Sequence, residues 1–463
     1  MATEITVGLD IGTTAVKAVA VDADGLVRAR ARVPHELRVG AGGGFEHDPE
    51  RAWGEGPRAA LRALGSAGRD PRGLGVTGML PSVVAVDGRT RPLSPAPLYG
   101  DARARSGARA VTPLDSREGE TLLSWAARGW PRAHAYLPAQ AYAMAALGAE
   151  PVLDVFAAMA FYPVFDGVRW DPDRLAGLGL DEKQVPAVAP QPGLAVGRIG
   201  DTVVTGAGAD VLAEHLAVDV SEPGEAFVIC GTTLVTWAVT ASPPPAAPGL
   251  WAVPHPSGDR CLLGGPSNAG GLFLGWARRL LADAGSAGGA GDAGRGGPEP
   301  GGVPVWLPYA AGERSPLHDP GLRASLHDLD LTHGPAALRR AAYEAAGFVV
   351  RHHLDLAGCR TPRRVVVSGG GARDGEWTRA LAECTGAVVE CAAVPEGAAY
   401  GTAWLARMAA GLETSVPDAR RWYRPGRVVR PRPAWTEACA ARYARFRELS
   451  AHAAAARSGP IDP

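Results

Sequence analysis

The sequence predicts an α/β fold in two domains that open on the same strand–turn–strand unit and face each other across a cleft. Three observations carry this. Residues 5–22, ITVGLDIGTTAVKAVAVD, place β-branched residues on both sides of a Gly-Thr-Thr turn, the pattern of a β-hairpin. Residues 226–239, AFVICGTTLVTWAV, align with residues 6–19 when Gly231-Thr232-Thr233 is laid on Gly12-Thr13-Thr14. A chain of 463 residues is long enough for two or three domains at roughly 150 residues each, and two large domains with insertions are the simplest count.

After the first hairpin, Asp24-Gly25 supplies a turn into a third strand, LVRARARV, whose alternation of apolar and basic residues leaves one side to solvent. Asp48-Pro49 then opens a helix over DPERAWGEGPRAALRAL. A three-strand meander followed by a helix is how an actin-like, ribonuclease H-like domain begins. The copy starting near residue 226 puts the boundary in DVSEPGE, residues 219–225, and divides the chain into domains 1–222 and 223–463. Clefts between domains are common ligand sites. Ile229 stands where Asp10 stands in the first copy, so the duplication is functionally asymmetric. Further on, VVVSGGGA (365–372) reads as a buried strand running into Gly369-Gly370-Gly371, with a helix, EWTRALAECTG, behind it. Residues 282–302 are too poor in large apolar side chains to pack and read as a surface loop. The stretch beyond 415 is rich in Arg and Pro until the helical TEACAARYARFRELSAHAAAA, expected on the outside.

Composition narrows the function. Hydrophobic residues make up 46% and charged residues 21%, which is globular composition, and no apolar run is long enough to span a membrane. The N-terminus shows no export or transit pattern, so a cytoplasmic location is expected. With 47 basic against 48 acidic residues there is no global attraction to nucleic acid or an anionic membrane, and a small ligand in a cleft is the expected partner. Six scattered cysteines without a C-x-x-C pair read as reduced thiols.

Chemistry concentrates at the turns. Asp10 followed by Gly12-Thr13-Thr14 gathers a carboxylate, backbone N–H groups and two hydroxyls, which can hold phosphate oxygens and a metal. An isolated turn of this kind is as readily an ordinary hairpin; a second Gly-Thr-Thr turn favours a clamp on one triphosphate. Asp210 in TGAGADVLAEHL, read alone, is a helix N-cap, and Asp101 in YGDARA is equally a cap.

The ordered blocks VGLDIGTTAVKAVAVD, GVTGMLPSVVAVDGRTRPLSPAPLYGDARA, FDGVRWDPDRLAGLGL, VVTGAGADVLAEHLAVDV, FVICGTTLVTWAV, VWLPYAAGERSPLHDPGLRASLHDLDLTHG and VVVSGGGARDGEWTRALAECTG resemble the FGGY family of carbohydrate kinases, xylulokinases most of all. The resemblance implies ATP-dependent phosphorylation of a hydroxyl of a ketose or related polyol, with Mg2+. It implies Asp210 as general base, and Asp10 with Asp210 as the carboxylates that hold the metal. Gly12, Thr13, Thr14 and Lys17 match phosphate-contacting positions, Gly231 and Thr232 match contacts to the β- and γ-phosphates, and Gly270, Gly271, Gly371 and Ala372 match nucleotide-lining segments.

At the substrate end the chain departs from that pattern. Met79-Leu80-Pro81 replaces the usual Gln-Met-His, and Tyr99-Gly100-Asp101 replaces Trp-Asn-Asp. Asp101 is retained and is expected to accept substrate hydroxyl hydrogen bonds beside Met79, Leu80 and Asp210. The stretch from Arg105 to Glu120 is shorter than its family counterpart. Another polyol, an aldonate or a sugar-like intermediate therefore stays open as substrate, as does a catalytically silent sugar-binding relative, against which Asp10 and Asp210 together argue. A homodimer is compatible with the sequence. Glu313-Arg314 and His318 in GERSPLHDP read as structural, with Arg314 forming ion pairs. The adjacent His352 and His353 point to different helix faces, and Trp53, Trp170, Trp237 and Trp276 read as core residues.

Overall fold

The computed structural model describes residues 4–40, 43–101, 103, 117–242, 245–255, 259–286 and 297–457. Residues 105–116 of the shortened stretch and residues 287–296 of the loop expected at 282–302 lie outside the described residues; residues 282–286 continue the helix Gly271–Ser286 rather than forming loop. Two compact units emerge. One is built from the described residues of Met1–Ala108, Ser116–Asp219 and Glu396–Tyr423, and the other from those of Val220–Pro395 and Arg424–Pro463.

In the first unit the strand Thr6–Ile11 pairs antiparallel with Ala15–Val21, which pairs antiparallel with Val27–Pro34. On its other side Thr6–Ile11 runs parallel to Gly73–Gly78, followed by Thr202–Thr205 and, at the edge, Ala195–Ile199. Thr6–Ile11 is buried along its whole length because both faces of this central strand are covered, whereas Val27–Pro34 alternates half-buried Val27, Ala29, Ala31 and Val33 with exposed Arg28, Arg30, Arg32 and Pro34. The helix expected from Asp48 is split into a π-helical turn, Glu50–Glu55, and an α-helix, Gly56–Ala63. Pro57 has no N–H to continue the ladder, and the wider turn accommodates that loss.

The second unit repeats the order. Glu225–Cys230 pairs antiparallel with Leu234–Ala241 and that strand with Arg260–Ser267, while Arg364–Ser368 and Val389–Ala392 follow in parallel on the other side. Both sheets share one core, an antiparallel hairpin with a third antiparallel strand outside its second strand and two parallel strands beyond its first, the ribonuclease H-like arrangement anticipated from the two Gly-Thr-Thr repeats; in the second unit the edge strand Trp251–Pro254 is added outside Arg260–Ser267. The final helix, Pro433–Ala456, buries Trp435, Cys439, Tyr443 and Phe446. Its Arg442 forms a two-pronged ion pair with the buried Glu344, at 2.7 and 2.8 Å.

The division read from the sequence, 1–222 and 223–463, differs from this packing at residues 220–222, which belong to the second unit, and in one longer stretch. Residues 396–423 lie in the first unit, where the helix Gly397–Ala409 rests on the sheet. Glycines let it approach: a Cβ on Gly8 would fall into the Ala399 carbonyl, and one on Gly401 into the Ala213 carbonyl of the neighbouring helix. Trp53, Trp170 and Trp237 are core residues as expected, but Trp276 is 37% exposed on the helix Gly271–Ser286. Its row mates Leu272 and Leu280 are exposed too, while the Trp276 ring still meets that of Trp306 at 6.0 Å between centres. His352 and His353 are buried and neutral, burial pushing them down to about 3 and about 4.

Candidate active site

The hairpin register Ile11↔Val16 leaves residues 12–14 as the turn, closed by Gly12 N–H donating to the Ala15 carbonyl at 3.1 Å. The same register sets Asp10 opposite Lys17, and the Lys17 Nζ lies 2.9 Å from Asp10 Oδ2. Asp10 is only 4% exposed. Its charge raises the Lys17 pKa above the ordinary value, against the opposing effect of burial, with Glu214 and Glu396 adding.

Thr13 is held from two sides. Its hydroxyl is 2.6 Å from the Tyr99 hydroxyl, and its carbonyl is 2.8 Å from His47 Nε2. The Trp53 indole donates to His47 Nδ1 at 3.0 Å, which leaves the ring proton on Nε2, donating to Thr13. Burial pushes His47 down to about 4, so the ring is neutral. The Thr14 carbonyl accepts from His35 N–H at 3.1 Å. Among the described residues no protein acceptor takes the Thr13 or Thr14 N–H. Two successive amides at a tight turn are able to hold an anion.

Strand register also brings Asp210 to this place. Thr77 pairs with Asp10 on one side and with Gly208 on the other, so Asp210, two residues beyond Gly208, starts its helix, Asp210–Leu216, beside the Asp10 row. Ala209 is the N-cap, and the Asp210 carboxylate accepts from the Val211 N–H at 2.8 Å. The residue keeps a partly solvent-accessible face. Its carboxyl is pushed up to about 7, first by burial of the group and then by the charge of Asp10, with Glu214 adding and the Val211 N–H and Lys17 opposing.

Beneath Asp210 lies a polar shelf that sequence reasoning missed. The Gly208 carbonyl accepts from Thr77 Oγ1 at 3.0 Å and from Gln140 Nε2 at 3.4 Å, and the Asp154 N–H donates to the Ala207 carbonyl at 2.8 Å. Asp154 is 1% exposed, and burial pushes its carboxyl up to about 7. One of its oxygens caps a short helix through Ala157 N–H at 2.8 Å, and the other has no partner among the described residues. No local signal separates Asp154 from any other helix cap.

In the second unit, Gly271 N–H donates to the Gly231 carbonyl at 2.9 Å and Leu272 N–H to the Thr232 carbonyl at 3.0 Å. The second Gly-Thr-Thr turn is thereby tied to the start of the helix Gly271–Ser286. A Cβ on Gly270 would collide with the Thr233 backbone, and one on Gly271 would stand 2.8 Å from the Gly231 oxygen. Glu313 organises this segment, accepting from Ser267 Oγ at 2.8 Å and Asn268 N–H at 3.0 Å. The structural weight of GERSPLHDP thus rests on the buried Glu313. Gly371 packs its backbone on Trp377 and Cys230, and the buried Ala372 offers its carbonyl to Arg427 at 3.2 Å. Nearby, a cleft of about 360 Å³ is lined by Arg278, Ala282, Arg339, Tyr343, Asp374 and Glu376. The Arg278 guanidinium sits 5.3 Å from the centre of the Tyr343 ring and is paired with Asp374.

On the substrate side, Met79 is buried and Leu80 half-buried, as apolar residues in this position must be. Asp101 requires a correction. Its Oδ1 accepts from Arg103 N–H at 2.9 Å and Nε at 3.0 Å, and its Oδ2 from Phe45 N–H at 2.8 Å and Arg103 Nη2 at 2.6 Å. Four donors already fill this carboxylate, so it is not the open acceptor for substrate hydroxyls that its sequence context suggested.

Family models agree with these two halves. Residues 5–118 match the N-terminal domain, and residues 226–410 the C-terminal domain, of the FGGY family of carbohydrate kinases. The chain belongs to the FGGY family. It is an ATP-dependent carbohydrate kinase with the two-domain actin-like fold of that family. It is 28% identical to the xylulose kinase of Escherichia coli K12 over 91% of this chain and 96% of that one. Among solved structures it is similar to a "xyloylose kinase" from Brucella ovis, with a TM-score of 0.79, 25% identity, and coverage of 97% of this chain and 99% of that one. It is also similar to the xylulose kinase of Rhodospirillum rubrum, with a TM-score of 0.74, 27% identity, and coverage of 97% and 98%. Among the described residues of this FGGY kinase no helix is long and apolar enough to cross a membrane.

Proposed function

We propose that this kinase transfers the γ-phosphoryl group of Mg-ATP to a hydroxyl of a ketose or related polyol, with Asp210 as general base. The observation that carries the assignment is the strand register that sets Asp210 beside Asp10, which helps push the Asp210 carboxyl up to about 7. A base with that pKa accepts the substrate hydroxyl proton as its oxygen bonds to the γ-phosphorus and the bond to ADP breaks. We assign phosphate contacts to the Thr13 and Thr14 amides, Gly12 and Lys17 in the first unit and, by the resemblance to the family, to Gly231 and Thr232 in the second. Gly270, Gly271, Gly371 and Ala372 line the nucleotide, and the cleft at Arg278, Tyr343 and Asp374 takes its base.

The donor set suits Mg2+. Among the described residues no three His, Cys, Asp or Glu side chains converge as a metal cage, while Asp10 and Asp210 supply the one or two carboxylates that Mg2+ takes alongside phosphate oxygens and water. Bound there, Mg2+ would offset charge on the phosphates.

For the substrate, the lining argues for a neutral molecule with an apolar or bulkier end. Met79, Leu80 and Gly100 offer no side-chain hydrogen bonds, and the Arg103 guanidinium is already shared by Asp101 and Glu46. In an ADP-release assay across ketoses, polyols and aldonates, D-xylulose and D-gluconate are both expected to show kcat/KM at least about tenfold below the best neutral substrate, the scale of one or two unmatched hydroxyls. A highest kcat/KM for D-xylulose would mean that residues other than these supply its hydrogen bonds. We place the kinase in the cytoplasm, with its small substrate as partner and with neither nucleic acid nor membrane; sedimentation tests whether it forms a homodimer.

A further inference from the structure

The Thr13 hydroxyl is buried and bonded at 2.6 Å to the hydroxyl of a residue 86 positions away, Tyr99. Tyr99 belongs to the segment that frames the substrate end. Its N–H donates to the Pro81 carbonyl at 2.8 Å, its neighbour Leu98 donates to Phe45 at 2.9 Å, and its ring lies 5.8 Å from that of Phe45, whose own N–H binds Asp101. The Thr13 carbonyl is separately committed to His47, so everything polar on Thr13 except its N–H is turned into the protein.

We propose that Tyr99 is a positioning residue for the phosphate turn. Its hydroxyl commits the Thr13 side chain to the protein and so aims the Thr13 and Thr14 amides at the phosphates. The Thr13 hydroxyl itself does not touch phosphate. The bond also joins the substrate-framing segment to the phosphate turn. The role rests on the proposed phosphate contacts of the first turn.

The test is a double-mutant cycle on the full chain with Tyr99→Phe, Thr13→Val and both together, reading calorimetric affinities for β,γ-imido-ATP with Mg2+ and for AMP. Each single change is expected to weaken the imido analogue about fivefold, the scale of one buried hydrogen bond. The double variant should be no weaker than either single one, Thr13→Ser should restore wild-type affinity, and AMP affinity should stay within about twofold throughout. Additive losses, or a loss for Thr13→Val far beyond that for Tyr99→Phe, overturn the proposal, because the Thr13 hydroxyl would then bind phosphate itself. An equal loss for AMP also overturns it, since that is general destabilisation. If the wild-type chain binds the imido analogue no more tightly than AMP, the phosphate assignment of the turn fails and this role fails with it.

Discussion

Asp210→Asn is expected to lower kcat by about two to four orders of magnitude while leaving the affinity for β,γ-imido-ATP within a few-fold of wild type. The amide has nearly the shape of the carboxylate and can keep the Val211 N–H bond through its oxygen, so the start of the helix Asp210–Leu216 should survive. What it cannot do is accept the hydroxyl proton. The wild-type rate should fall as pH drops below the Asp210 pKa, which lies at about 7 without metal and lower once a bound cation favours the charged form. That acid limb should vanish from the residual activity of the variant. Near-normal kcat in a stopped-flow or coupled assay would remove Asp210 from the chemistry. Asp10→Asn should behave differently, raising the Mg2+ concentration needed for half-maximal rate.

Asp154→Asn is expected to stabilise the protein relative to wild type at pH 8 and to lose much of that advantage at pH 5. The folded carboxyl titrates at about 7 against 3.8 when unfolded, because it is buried and one of its oxygens has no partner. The folded state therefore holds a proton that the unfolded chain has released, and its contribution to stability is present below about pH 4 and lost as pH rises towards 7. At about 1.4 kcal/mol per pKa unit, the relative stability of variant and wild type should move by about 2–3 kcal/mol between pH 5 and 8, or several degrees in Tm. Comparing variant with wild type at each pH cancels the other buried acids, Asp210 and Glu313, which titrate in the same window. A Tm difference that stays constant from pH 5 to pH 8 would show that Asp154 does not change ionisation on folding.

Both hairpins were legible in the sequence because a tight turn and its flanking β-branched residues are local features, set within about a dozen positions. Asp10 and Lys17 were legible for the same reason: a two-strand register follows directly from the turn that closes it. The helix Gly375–Thr385, with Asp374 accepting the Glu376 and Trp377 N–H groups and Gly386 ending it at positive φ, was equally plain. The repeat of Gly-Thr-Thr, with Ile229 in place of Asp10, was enough to expect two similar domains of unequal chemistry.

Other features depend on pairs far apart in the chain, and no local pattern encodes them. Asp210 alone looked like a helix cap; its place beside Asp10 comes from Thr77, which pairs with both strands. Asp101 looked like an open acceptor; its near neighbour Arg103 supplies three of its donors, and the fold brings up the distant Phe45 N–H as the fourth. The stretch 396–423 follows the second repeat in sequence yet packs in the first unit, because glycines at 8 and 401 let its helix lie against backbone that side chains would hold away. The sequence by itself therefore determined the two hairpins, the family and the residues of the two Gly-Thr-Thr turns. Tertiary structure decided which of those residues still have a free hydrogen-bonding group, since burial and strand register, not residue type, determine whether a carboxylate or hydroxyl is already satisfied.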